Sequence, residues 1–289
     1  MKRVACVLFA AVMASGALSL ALSKSDAVKT VAAEEPVRLP IAMYHSVTDS
    51  GESPGEYVIS PQMLESDLKF LQENGFVTVT VNDVIAYVKD GAQLPKKPVM
   101  LTFDDGYYNN YANAYPLLEQ YGMRAVLSPV GTLTEQFTQL GEPPNEIWSY
   151  CTEGELWEMA DSGVMELQNH SYDFHELSPR RGCLKSSGEN DESYREIFCA
   201  DTQRAQEVFA GIGIAKPTCY AYPYGACNEE TEELIRKCGL SASLSCEEGI
   251  NTLRREESVL WSLKRYNRDG RRSTQDFWGK LLGELEGGS

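Results

Sequence analysis

From Leu39 onward, short apolar runs alternate with amphipathic helical stretches, and this alternation narrows the available folds more than any other feature of the chain. Extended segments are expected at residues 39–47, 77–80, 99–103, 125–129, 164–168, 218–222, 241–246 and 259–263. A helix opens at Ser60-Pro61, an N-cap followed by proline at the first helical position. It carries Met63, Leu64, Leu68 and Leu71 at helical spacing and stops at Gly75. Further helices are expected from Thr80 and Asp83 to about Gly91, and over residues 155–161, 194–209 and 229–238. A last helix has Phe277, Leu281, Leu282 and Leu285 on one face, while residues 130–148 read as a long loop. This alternation indicates an α/β fold with a parallel sheet and helices outside it. About seven such units in one chain favour closure into a barrel over an open sheet. With 289 residues and no internal repeat or dividing linker, one large core is expected.

The first residues carry an address. Met1-Lys2-Arg3, an apolar run from Val4 to Leu22, and the small residues Ala21 and Ser23 form an export signal over residues 1–23, cleaved after Ser23 or kept as an anchor. Residues 24–38 read as a polar tether and residues 39–289 as the working domain, placed outside the cytoplasm, either secreted or at the cell surface. The net charge of −16 argues against a nucleic acid partner or a broad grip on anionic lipid. Membrane contact is therefore confined to the N-terminal anchor, and the chain is expected to act as a monomer. Beyond Cys6 lie Cys151, Cys183, Cys199, Cys219, Cys227, Cys238 and Cys246, with no C-x-x-C spacing, so a zinc–thiolate site is not expected. An exported chain permits disulfides. Cys183 and Cys199 bracket a polar stretch they would suit as a staple, but spacing alone does not fix the pairing.

In barrels of this kind chemistry gathers where strands end. The run 99–103 leads straight into Asp104-Asp105-Gly106. Alone, Asp-Asp-Gly is ordinary turn chemistry. After a buried strand, however, two adjacent carboxylates repel unless a cation or proton separates them, and neighbouring strand residues point to opposite sides. One can then grip a metal while the other faces a substrate. Two of the chain's three histidines, His170 and His175, follow another strand in Asn169-His170-Ser171-Tyr172-Asp173-Phe174-His175. Each alone reads as an ordinary core or surface residue. Together with Asp105 they make a two-histidine, one-carboxylate set that leaves positions open for water and substrate. Ala221-Tyr222-Pro223-Tyr224-Gly225 follows a third strand, an aromatic loop suited to a sugar ring. Tyr107 and Tyr108 offer a second aromatic surface, with packing an equal alternative. His45 ends the first strand, where a lone histidine is more often structural than catalytic.

Thr102-Phe103-Asp104-Asp105-Gly106, then His170-Ser171 with His175, then Tyr222-Pro223-Tyr224-Gly225, in that order, resemble the polysaccharide deacetylases, the NodB-homology group of carbohydrate esterases. The resemblance spans residues 39–267. It implies a distorted (β/α) barrel that removes N-acetyl groups from an aminosugar polymer. It further implies Asp104 as general base, Asp105, His170 and His175 as ligands of a divalent metal of zinc type, and the Tyr224 backbone N–H as an oxyanion donor. Cobalt, nickel and manganese suit the same ligands.

The sequence also departs from the family pattern. The histidines are five apart where four is common, and Ala221 replaces the arginine that usually opens the Pro-Tyr motif. Neither an Asp-x-x-Asp-Trp segment nor a C-terminal Leu-x-His appears, so the usual general acid and its tuning carboxylate are missing. The Tyr44-His45 setting resembles the branch acting on poly-N-acetylglucosamine at cell surfaces, which makes His45 the expected proton donor. Arg265, at a strand end in Leu263-Lys264-Arg265-Tyr266, is the candidate replacement for the arginine, a surface salt bridge being the alternative. Tyr224, Pro223, Tyr107 and Arg265 thus form the expected oxyanion- and substrate-binding set. Peptidoglycan, poly-N-acetylglucosamine and chitin-like chains all stay open as the N-acetylated glycan. An O-acetyl carbohydrate esterase and a non-catalytic glycan binder on the same fold are the competing readings.

Overall fold

The computed structural model describes residues 35–51 and 53–287, so the expected signal segment and most of the tether lie outside the described residues. Seven parallel strands form the wall of a barrel: β1 (Ile41–Tyr44), β2 (Pro98–Asp105), β3 (Ala125–Pro129), β4 (Met165–Leu167), β5 (Cys219–Ala221), β6 (Ala242–Leu244) and β7 (Tyr266–Asn267). A continuous sheet runs β7-β1-β2-β3-β4, with Val77–Thr78 added beside the start of β2. The other two strands pair with each other, Cys219 to Ala221 against Ala242 to Leu244. Single parallel bridges close the ring, Asn169 to Tyr220 on one side and Leu244 to Leu263 on the other. Two one-bridge seams in place of full ladders make this a distorted barrel.

The wall sorts residues by strand alternation. Along β2, Val99, Leu101 and Phe103 pack in a cluster with Leu64 and Leu68 of the Pro61–Glu73 helix. Met100 packs in a second cluster with Ile41, Val126, Cys219, Ala221, Ala242 and Leu244 of the surrounding strands. Thr102 and Asp104 share Met100's parity and so point into the barrel. One long charged side chain, Arg265, fills that interior and is 0% exposed.

Several expected boundaries move. Strand pairing begins at Val37, two residues before the expected domain start, because Val37–Leu39 runs antiparallel to Asn251–Leu253. The single strand expected over residues 39–47 is interrupted at Pro40 and His45, leaving Val37–Leu39, Ile41–Tyr44 and Ser46–Val47. The expected 130–148 loop contains the helix Gly131–Leu140, which follows Val130 with no side-chain cap and opens on glycine, so it lacks the usual start signal. Where a strand was expected over residues 259–263, Glu257–Leu260 forms a 3₁₀ turn and only Leu263 bridges to the wall.

Candidate active site

The Asp104-Asp105, His170–His175 and Tyr222–Gly225 motifs gather at one mouth of the barrel, at or just beyond the C-terminal ends of their strands. Asp104 and Asp105 are still within β2. Had the strand stayed regular, Asp105 would point away from the interior, towards the outer helices. Instead its φ of 70° breaks the alternation, and Gly106 follows at φ 81°. Gly106 could carry no side chain, since a Cβ there would lie 2.6 Å from Cβ of Pro129 at the end of β3. Ser171 (φ 71°) and Tyr224 (φ 57°) also hold left-handed backbone without glycine. Such conformations cost of order 1 kcal/mol or more each and gather where a fold must aim side chains.

The broken alternation turns Asp105 towards the histidines. Its Oδ1 lies 3.3 Å from His170 Nε2 and 3.0 Å from His175 Nε2. Nδ1 of His170 donates to the Ala221 carbonyl at 2.8 Å, which fixes the ring and leaves Nε2 as the electron-pair donor. His175 stacks on Tyr224 with ring centroids 4.7 Å apart, and the Tyr224 hydroxyl donates to the His175 carbonyl at 3.1 Å. One ligand atom from each of Asp105, His170 and His175 lies within 4.8 Å of the others, the one such group among the described residues. Two imidazole nitrogens and a carboxylate, one imidazole braced by a carbonyl, fit a divalent metal and can bind one. Burial by itself would raise the Asp105 carboxyl, but its bonds to both histidines hold it well below the usual carboxylate range. Burial works against protonation of His170, and the Asp105 contact outweighs it.

Asp104 faces the other way, into the barrel. Nη1 and Nη2 of Arg265 donate to its two carboxylate oxygens at 2.7 and 2.8 Å. The guanidinium is anchored in turn, with Nε donating to the Ser245 carbonyl at 2.8 Å and Nη1 to Thr102 Oγ1 at 3.2 Å. Burial tends to raise the Asp104 carboxyl, but Arg265 and then His170 hold it below its ordinary value. Arg265 is therefore a buried partner of Asp104 and takes no part in a surface salt bridge.

His45 sits directly after β1, half-buried, with its ring edge-on to Tyr57 at 4.8 Å. Its Nδ1 is buried and makes no hydrogen bond among the described residues. Burial lowers its pKa, partly offset by Asp105 and Asp104. Tyr107, next to Asp105 in space, stacks on Tyr150 at 4.9 Å. From there Phe137 and the half-exposed Trp148 continue an aromatic file outward. Pro223 is buried and opens the 3₁₀ turn that presents Tyr224.

Three braces were not picked out from the sequence. Asn110 donates from Nδ2 to the His45 carbonyl at 2.7 Å, and Asn109 accepts from the Val47 N–H at 2.8 Å, so the pair fastens the loop after β1. On the helix Asp191–Gly211, Asp201 accepts from the backbone N–H of Tyr172 at 2.9 Å and of Asp173 at 2.7 Å, between the two histidines. The signal for the asparagines was their adjacency after Tyr107-Tyr108. Asp201 gave none, since it lies in a polar helical stretch remote in sequence from the loop it holds.

The profile of the family described as polysaccharide deacetylase matches residues 91–243. The chain belongs to the polysaccharide deacetylase family. It is thereby a hydrolase acting on carbon–nitrogen bonds. A provisionally named polysaccharide deacetylase of Bacillus subtilis, YxkH, is 29% identical over 81% of this chain and 73% of its own length. Poly-beta-1,6-N-acetyl-D-glucosamine N-deacetylase of Escherichia coli is 25% identical over 75% of this chain, and the Staphylococcus aureus enzyme of that name is 28% identical over 66%. The matched region spans only 35% of the Escherichia coli protein and 62% of the Staphylococcus aureus one. Among solved structures, a de-N-acetylase from Aggregatibacter actinomycetemcomitans has the same fold. Its TM-score is 0.70 at 23% identity, covering 86% of this chain and 100% of that one.

Proposed function

We propose that this protein is an exported N-deacetylase of an aminosugar polymer of the poly-N-acetylglucosamine type, dependent on a divalent metal, with zinc the natural choice. The observation that carries the reading is the placement, at one barrel mouth, of three converging metal-ligand atoms beside a carboxylate held by Arg265. Residues 1–23 serve as signal or anchor, 24–36 as tether and 37–289 as the catalytic domain, working as a monomer at the cell surface or outside the cell. The names of the Escherichia coli and Staphylococcus aureus relatives support the choice of polymer. The aromatic file from Tyr107 to Trp148 and the exposed Tyr57 and Tyr224 support a sugar ligand.

Asp105, His170 and His175 hold the metal, which when bound supplies Lewis acidity to a carbonyl oxygen and makes water more acidic. Asp104, kept ionised by Arg265, accepts the proton of the water that attacks the acetyl carbon. The Tyr224 backbone N–H donates to the oxyanion that develops on the acetyl oxygen. His45, the third histidine, gives a proton to the departing sugar amine. Tyr107, Pro223 and Tyr224 shape the surface on which the ring sits.

Acetate release from N-acetylglucosamine oligomers, metal-loaded and metal-stripped, tests the reading beside Asp104→Asn and His45→Ala. Release is expected to need the metal and Asp104, and to collapse in His45→Ala while calorimetry shows the metal still bound. Full activity in His45→Ala removes that residue's role. Release only from O-acetylated oligomers turns the reading to an esterase, and none from any glycan with metal bound turns it to a binding protein.

A further inference from the structure

Four cysteines illustrate two different settings. Cys151 and Cys183 direct their sulfurs to the carbonyls of Tyr107 and Ala226, each at 3.2 Å. Cys199 and Cys238 meet each other, with Sγ atoms 3.2 Å apart. Cys199 lies on the helix Asp191–Gly211, and Cys238 is the first residue beyond the helix Glu229–Lys237. Both are partly exposed and line an open cavity of about 450 Å³, together with Gln203, Glu207 and Lys216, so a reagent can reach them. The Cys183–Cys199 staple suggested by spacing does not form this contact.

We infer that Cys199 and Cys238 form a disulfide in the mature protein, tying these two outer helices together. Each thiol gives up its proton and one electron as the S–S bond forms. The two electrons and two protons pass to the disulfide of a protein thiol oxidant, whose own S–S bond breaks to a dithiol. A soft-metal site is the alternative use of paired sulfurs. No third ligand joins the pair among the described residues, which leaves such a site incomplete.

The cross-link spans 39 positions, and the enclosed segment carries β5 and residues 222–225, including the Tyr224 that stacks on His175. Closing a loop of that length lowers the unfolded-to-folded ratio by roughly several hundredfold. The purpose is to fasten the part of the wall that presents Tyr224; no change in chemistry at the site is involved.

The choice of pair does not depend on where the chain resides, although the natural oxidant requires the export proposed above. The test therefore uses the purified full chain in glutathione mixtures from reducing to oxidising, with thiol alkylation and peptide mapping after denaturation. In oxidising mixtures Cys199 and Cys238 are expected to escape alkylation and appear as one cross-linked peptide, with the urea midpoint rising in parallel. Cys199→Ser and Cys238→Ser should both lose that redox-dependent rise while keeping the acetate release of the reduced wild type. Alkylation of both cysteines in oxidising glutathione, or a link from either to Cys227, overturns the inference. Fractionating cells and mapping the same peptide in the exported pool separates failure of the pair from failure of export.

Discussion

Replacing Arg265 by alanine leaves the Asp104 carboxylate buried and without its counter-charge. The native pair is fully desolvated, with side chains 0% and 3% exposed, and both oxygens of Asp104 take their hydrogen bonds from it at 2.7 and 2.8 Å. Breaking a buried pair by removing one partner typically costs about 3–5 kcal/mol, because the remaining charge stays out of water. A surface pair would cost less than about 1 kcal/mol. With Asp104 in its proposed role, activity should fall further than stability explains, since the carboxylate loses both bonds that orient it and a positioned general base is worth roughly 10²–10⁴ in rate. Arg265→Lys keeps the charge but cannot reproduce the fork while also reaching the Ser245 carbonyl, so it should fall between alanine and wild type. Urea unfolding gives the first quantity, and acetate release normalised to folded protein gives the second. An Arg265→Ala protein within about 1 kcal/mol of wild type and fully active would refute the reasoning, because it would mean Asp104 needs neither compensation nor orientation.

Other expectations follow from neighbouring parts of the molecule. Asp67, 0% exposed, takes bonds from Arg268, Tyr44 and Thr274. Arg268→Met should therefore cost about 3–5 kcal/mol in urea unfolding, and adding Asp67→Leu should recover most of it. Burial pushes the Asp201 carboxyl up to about 6, against the two backbone N–H groups it accepts, with Asp173 and Arg180 its charged neighbours. The folded value lies above the ordinary carboxyl value of 3.8, so this contribution to stability is full below that pH and is lost as pH rises through about 6. Asp201→Asn should flatten the stability profile over that window in thermal melts; an unchanged slope would count against the assignment. Gly106→Ala meets both Pro129 at 2.6 Å and a φ of 81°, so calorimetric metal affinity and thermal stability should drop together.

The parts of this molecule legible from sequence were those written in contiguous residues. Buried strands leading into Asp104-Asp105 and into His170 announced the barrel and gathered the candidate ligands at one mouth, because strand alternation and strand-end chemistry are local patterns. Arg265 could be nominated but not placed. Its bond to Asp104 joins residues 161 positions apart, and only barrel closure brings them together. Asp201 was invisible for the same reason, as was the meeting of Cys199 with Cys238. The helix Gly131–Leu140 escaped because no capping side chain announces its start: Val130 stands at the N-cap and Gly131 opens the helix. The strand expected near residue 260 failed because the chain spends those residues on a turn, leaving only Leu263 to bridge the wall. The rotation of Asp105 towards the histidines depends on a positive φ that Asp tolerates but that the regular strand pattern around it does not announce.

The two one-bridge seams divide the wall unequally. Strands β7 through β4 share a continuous ladder, whereas β5 and β6 form a two-strand panel held at each edge by one bridge, near Tyr220 and near Leu244. Opening either edge disrupts a shorter ladder than parting β2 from β3, so the panel should breathe at lower free energy than the rest of the barrel. Amide protons at Ala221 and Leu263, which bond across the seams, would then exchange before those inside β2. Because the panel carries Tyr224 at its rim, the mouth of the barrel has one compliant side, and a bulky polymer would make room for itself there.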